Sequence, residues 1–516
     1  MPEQPEVYIW KERFDRWVRA KLSSTGKWPQ GASIIWSSLT PSEQDTSHYP
    51  GHLVIIPRIF ATGTDTKSYT SCTVDRGDYS DDLEPIPLDF VPDPYDASRA
   101  LGEPYEYLVK PLKPGPVFCQ ARGKQMCIGA GHHAVTISFG LEAHILKMSH
   151  EAFHLICSLD TAGPNQDAEK AEKLRRFVVP DIFIEPGTQP KDKREITIFL
   201  AFICEDCVWT LCDFSRLVRF HIISALDMWT LQDFEVGCPE WEALWAQYES
   251  GPDWITEREA CLKLLHEWRA SVLNDPGSSS GDGTIVDVMS NDRFAFNGFG
   301  RHLANDFCHL IAVWPGMPVY DLCADDELFG DLLDAIAPFM EQWNSEAFLR
   351  YCAASANTAN PLSFNEWADH SYYSMYILVF WKSRIANIPP ALYDKYISRG
   401  LLDPEHTIGT FSLRIRSVLS MFCNKAFKQS AVFRVKGIKD AYTIIRAKCP
   451  KEWTERERTV TKDLKQGRYA TTIGGAEFHE PKANKINLKD DDNVLTHRLG
   501  RLPKVCALSH FNRTAH

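Results

Sequence analysis

Five consecutive residues carry the most specific chemistry in the sequence: His150-Glu151-Ala152-Phe153-His154. Two histidines one helical turn apart can share a zinc ion, and a glutamate beside them can take a proton from metal-bound water. Asp160 lies six residues after His154 and is available as a third ligand. The metal set is then His150, His154 and Asp160, with Glu151 as general base. The other reading leaves the two imidazoles on a helix surface, facing water. Zinc is the cofactor under the first reading, and no cofactor is expected under the second.

The stretch HEAFHLICSLD resembles the metzincin pattern H-E-x-x-H-x-x-G-x-x-(H/D) over eleven residues. That resemblance implies a zinc-dependent hydrolase. It departs at Cys157, where the pattern has the glycine that turns the chain toward the third ligand. A residue with a Cβ adopts the left-handed conformation only at a cost. Glu169, Glu172 and Glu185 are further conceivable third ligands.

Other spacings are less specific. Cys204-x-x-Cys207, followed by Cys212 and His221, is half of a zinc pattern, but it sits in the apolar run FLAFICEDCVWTLCDF and reads as buried thiols. Gly129-Ala-Gly131-His-His-Ala134 has dinucleotide-loop spacing. Such a loop must open a helix, and Val135-Thr136-Ile137 favours strand. Asp325-Asp326-Glu327 precedes an amphipathic run, where acids cap a helix and oppose its dipole.

Basic residues concentrate late in the chain. Residues 425–468 hold 13 Lys/Arg against 5 Asp/Glu, and 469–516 hold 7 against 5. With a net charge of -12, residues 1–424 therefore carry -22. Lys425, Lys428, Arg434, Lys436, Lys439 and Arg446 are the candidate nucleic-acid contacts, with Phe427, Phe433 and Tyr442 interleaved. Cations hold phosphate and aromatics stack on bases. The same aromatics at helical spacing also suit a core.

Composition is that of an ordinary globular chain, 44% hydrophobic and 24% charged. The first residues lack the apolar run of a secretory signal, and the ten-residue run Tyr372–Trp381 is too short to span a bilayer. No membrane partner and a cytoplasmic location follow as expectations. The 15 cysteines are scattered inside apolar runs, as reduced buried thiols are.

The pattern along the chain predicts a mainly α, α+β protein. Residues 1–135 read as a Pro-rich β and irregular region. Residues 136–275 read as helical with a short β interlude at 181–203, including helices over about 141–159 and 207–231. After the Gly/Ser loop at 275–283, residues 284–449 read as helical, with helices near 298–313, 326–342, 390–399, 410–430 and 437–448. Residues 450–516 read as an extended basic arm.

No complete catalytic set emerges, so the leading expectation is a structural, self-assembling homo-oligomer. Its general character is similar to the helix-rich shell proteins of double-stranded RNA viruses. That analogy implies a capsid or coat role, location in a virion, and RNA facing the basic C-terminal region. The alternative is the zinc-dependent hydrolase built on His150 to His154.

Overall fold

The computed structural model describes residues 2–32, 34–35, 53–55, 71–80, 83, 107–108, 115–140, 143–162, 166–168, 176–183, 195–213, 217–275, 283–355, 360–362, 365, 368, 371–379, 389–401, 407–410 and 431–434. The chain divides into two compact units. Of the described residues, the first holds those within 2–250 and 346–368, and the second those within 251–345 and 371–434.

The first unit opens with helix α1 (Gln4–Thr25), in a region where the sequence suggested only strand and irregular chain. Val7, Trp10, Phe14, Trp17 and Val18 recur at helical spacing and are buried. Pro5 sits in the first turn, where its missing N–H is no loss. Gly26 ends the helix at φ 68° and donates its N–H to the Leu22 carbonyl at 2.9 Å.

An eleven-stranded sheet follows. Its strands are β1 (Gln30–Ala32), β2 (Ile34–Ile35), β3 (Leu53–Ile55), β4 (Ser71–Asp75), β5 (Gly115–Arg122), β6 (Gln125–Ala130), β7 (His133–Ser138), β8 (Ala143–Met148), β12 (Ile198–Cys204), β13 (Val208–Asp213) and β14 (Arg219–Ser224). The order β2-β3-β12-β1-β5-β6-β7-β14-β4 runs across it, and β13 and then β8 extend from the other edge of β12. Strands β5, β6 and β7 form an antiparallel meander turning at Gly123 (φ 58°) and Gly131 (φ 61°). Strand β4 lies parallel to β14. A smaller sheet joins β9 (Asp160–Thr161), β10 (Arg176–Val178) and β11 (Glu195–Ile196).

The expected helices over 141–159 and 207–231 are largely strand. In β8, Ala143, Ile145 and Met148 are buried while Lys147 is exposed, so a half-buried strand matched part of a 3.6-residue stripe. Strands β13 and β14 are covered on both faces and therefore read as continuous apolar runs, in which periodicity does not separate strand from helix. Strand β12, covered in the same way, falls in the expected β interlude. Helix α2 (His150–Cys157) is what remains of the first expected helix.

Helix α3 (Pro239–Ala246) covers one face of the meander. Trp241, Leu244 and Trp245 pack there with Phe118, Cys127, Ala134, Ile223, Trp229 and Phe234. Helix α1 lies along β5 and β6. Its Phe14 and Trp17 rings stand 4.9 and 5.9 Å from that of Trp209 on β13.

The second unit is helical: α4 (Arg258–Asn274), α5 (Ile285–Asn291), α6 (Arg301–Leu310), α7 (Val319–Ala324) and α8 (Asp326–Glu341). The Asp325 carboxylate accepts from the Glu327 and Leu328 amides at 2.8 and 3.0 Å, the capping role read from the sequence. Helix α9 (Glu346–Cys352) returns to the first unit, and α10 (Pro390–Ser398) belongs to the second. The class α+β fits, with a sheet far larger than the sequence suggested. Two short strands, β15 (Thr407–Thr410) and β16 (Ala431–Arg434), pair on either side of the helix expected over 410–430. That helix beyond Thr410, the helix expected over 437–448, much of the Pro-rich N-terminal region and the 450–516 arm lie outside the described residues. Each described cysteine except Cys238 is buried.

Candidate functional site

Ser149 caps α2, its hydroxyl accepting from the Ala152 amide at 3.2 Å. His150 Nε2 stands 2.8 Å from the Cys204 carbonyl. A carbonyl only accepts, so this nitrogen carries a proton and donates, and offers no lone pair to a metal. Glu151 is exposed. Hydrogen bonds to its own amide and then to the Ser149 hydroxyl hold its carboxyl below the usual range. His154 is half-buried, and burial followed by His150 pushes its imidazole below its ordinary value. Asp160 opens β9, two residues past the helix C-cap Ser158. Among the described residues, no three His, Cys, Asp or Glu side chains stand together so as to hold a metal ion.

Cys204 and Cys207 flank the β12–β13 turn, where the Cys204 amide donates to the Cys207 carbonyl at 2.8 Å. Burial pushes the Cys204 thiol well above its ordinary value, the state of a structural thiol. Of the basic residues, Arg434 falls on β16. Lys425, Lys428, Lys436, Lys439 and Arg446 lie outside the described residues.

The strand register reveals a polar set that spacing alone does not show. Arg122 of β5 faces Gln125 of β6, Gln125 faces Ser138 of β7, and Ser138 faces Arg219 of β14, so all four share one end of the sheet. Arg122 and Gln125 are buried. The Arg219 guanidinium donates to the Ser138 hydroxyl at 3.4 Å and lies 5.1 Å from the Tyr248 ring centroid.

Helix α1 runs against the direction of β5. Its tail leads to Pro29, whose carbonyl accepts from the Val117 amide, and its middle touches Cys119 through Asp15 at 3.4 Å. The head of α1 is therefore directed toward the Arg122-Gly123-Lys124 turn. Glu3, at the head of α1, is buried, and its amide donates to Glu6 Oε2 at 2.9 Å. Guanidinium and ammonium groups suit phosphate, and buried carboxylates suit proton transfer. The two-residue Gly-Lys turn between apolar runs was a readable hairpin signal. The alignment of the polar residues was legible only once the strands were paired.

In the second unit α6 buries His302, Asn305, Asp306 and His309. The Asp306 carboxylate accepts from the Leu378 and Val379 amides, both at 2.8 Å. The Tyr396 hydroxyl donates to the His309 carbonyl at 2.8 Å, so His309 Nδ1, 2.7 Å from that hydroxyl, donates to it. These bonds fasten chain segments to α6.

No protein-family model matches this chain, and no curated protein does. Among solved structures, one similar to it is a Lactococcus lactis formamido-pyrimidine DNA glycosylase bound to DNA containing an AP site. It is 11% identical, covers 45% of this chain and 65% of that chain, and has a TM-score of 0.29. A complex of the LlFpg protein with THF-DNA and an inhibitor is 12% identical over 70% of this chain and 82% of that one, with a TM-score of 0.35. An inhibited LlFpg with N7-benzyl-Fapy-dG DNA is 10% identical over 75% and 95%, with a TM-score of 0.37. Scores of this size carry no inference to this chain. Among the described residues, no helix is long and apolar enough to cross a membrane.

Proposed function

We propose that this protein binds nucleic acid through its basic C-terminal region, with the acidic folded body keeping contact with the strand confined to that region. The observation that carries the reading is the charge partition: -22 over residues 1–424 against a positive balance in both 425–468 and 469–516. Clustered cations neutralise phosphates and release counterions, which gives binding of any sequence. The opposite sign of the body repels phosphate elsewhere.

The test is fluorescence anisotropy of the full chain with duplex DNA, duplex DNA carrying an abasic site, single-stranded DNA and double-stranded RNA. Binding is expected to fall steeply with salt. A variant with Lys425, Lys428, Arg434, Lys436, Lys439 and Arg446 all changed to Gln should bind at least tenfold more weakly. Equal affinity in that variant, or no binding of any probe at low salt, overturns the reading. Processing of one probe would name a chemistry, and the buried Glu3 would be the first group to change.

A second reading, the self-assembling shell, rests on exposed apolar side chains. Ile182 is 74% exposed and Leu226 51%, with Leu231 and Val236 close behind. Such residues favour association when they form one patch. Deleting 450–516 should then abolish assembly as seen by light scattering, and particles of normal size from the truncated chain would sink the idea. The zinc-hydrolase reading draws no support from the position of His150 Nε2.

A further inference from the structure

We propose that the edge strand β4 and the turn after it, residues 71–80, are latched to the sheet by three buried imidazoles, His132, His133 and His221, and that acid releases this latch through His221.

The latch is built on both faces of the β14 edge. On one face the His221 Nδ1 stands 2.8 Å from the Thr73 hydroxyl of β4, its cross-strand partner in register. On the other, His133 Nδ1 stands 2.8 Å from the Ser224 hydroxyl, which also meets the Tyr107 hydroxyl at 2.9 Å. Tyr79, at the end of the segment, lays its ring 5.0 Å from that of His133, 6.1 Å from that of His132 and 5.3 Å from that of Tyr107. His132 Nδ1 donates to the Ala225 carbonyl at 3.2 Å. All three imidazoles are buried.

Among the described residues, charged and titratable groups about this edge include Asp75, Arg76 and Asp78 of the segment, Arg219 of β14, Asp227 of the turn that follows β14, and Cys72, Tyr79, Tyr107 and Tyr248. Asp75 favours a cation on His221. Arg76, whose guanidinium lies 4.9 Å from the Tyr107 ring centroid, opposes one near His133. A buried imidazolium costs free energy unless acceptors surround it, and here the neighbours are mainly hydroxyls and rings.

The sign follows. Burial, ahead of the weaker opposing effects of Asp75 and Thr73, pushes the latched His221 below its ordinary value. Once released, an imidazole titrates near about 6.5. The open segment therefore binds more protons than the latched one as pH falls below that value, and opening is favoured by acid. Release of His221 therefore raises the open fraction as pH drops from 7.5 to 5.5, by at most about tenfold.

Amide hydrogen exchange by mass spectrometry on the full chain tests this at both pH values, corrected for the intrinsic exchange rate, with β12 peptides as internal reference. Peptides covering 71–80 are expected to lose severalfold of their protection at pH 5.5 relative to β12. The double variant His133→Gln/His221→Gln is expected to show little of that pH response. Protection of 71–80 that tracks β12 at both pH values overturns the proposal, as does an unchanged response in the double variant. If the double variant loses β12 protection at pH 7.5, Thr73→Val takes its place. It should loosen 71–80 at pH 7.5 and weaken the pH response, and a full wild-type response there overturns the latch.

Discussion

His144 stands on β8 with its ring 5.8 Å from that of Trp10, and burial followed by Arg13 pushes it down to about 3. In the unfolded chain the same imidazole titrates near about 6.5. Between those values the unfolded state holds a proton that the folded state refuses, so stability falls as pH drops through that window. His144→Phe keeps a ring against Trp10 and removes the titration. Its urea midpoint, relative to the parent, should rise by the equivalent of about 1 kcal/mol on going from pH 7 to pH 5, the full shift being discounted for partial exposure. A constant difference would show that His144 does not set this dependence. His150 is the contrasting case. The pattern of two histidines and a glutamate was plain in the sequence, but the bond from Nε2 to a carbonyl 54 residues away was not. His150→Ala should cost about 1 kcal/mol by losing that bond and should leave the metal content of the purified protein unchanged. A drop in bound zinc would restore the hydrolase reading.

At the scale of elements, local signals decided what could be read. The helices α4, α6, α8 and α10 have polar and apolar faces or a capping residue at the head, and they stand within a few residues of where periodicity put them. Much of the sheet was hidden because β13 and β14 are buried on both faces, which erases the alternation that marks a strand, whereas β12 falls in the β interlude read at 181–203. Helix α1 carried a regular aromatic stripe, but it opens the Pro-rich stretch 1–135, whose composition reads as β and irregular chain. Once docked, α1 is a principal wall of the first core. Phe14 is fully buried between Trp17 and Trp209, and Arg16 reaches the Leu349 and Ala353 carbonyls at the end of α9 at 2.8 and 3.3 Å. Cations there complement the helix dipole. Phe14→Ala should destabilise the protein by about 3–4 kcal/mol in chemical denaturation, because the rings around it cannot collapse into the space. Asp325→Ala, which removes only the α8 cap, should cost about 1 kcal/mol. Similar losses for the two would mean that α1 does not close that core.

Charge is the property of the whole molecule that the sequence states most directly, and it makes the strongest demand on experiment. If six cations of the basic region each neutralise one phosphate, the logarithm of the binding constant should fall with the logarithm of salt with a slope near about -5 on duplex DNA. The variant with all six changed to Gln should lose most of that slope. Single changes should each remove about one unit, because counterion release adds phosphate by phosphate. Measuring native mass and the 260/280 nm absorbance ratio on the same sample separates the readings. A small particle with a steep slope describes a binder that works alone. A megadalton particle with the same slope describes a shell that holds its strand from within. A flat slope at any mass removes the basic region from the function, because a phosphate contact made through exposed lysines and arginines cannot escape competition from salt.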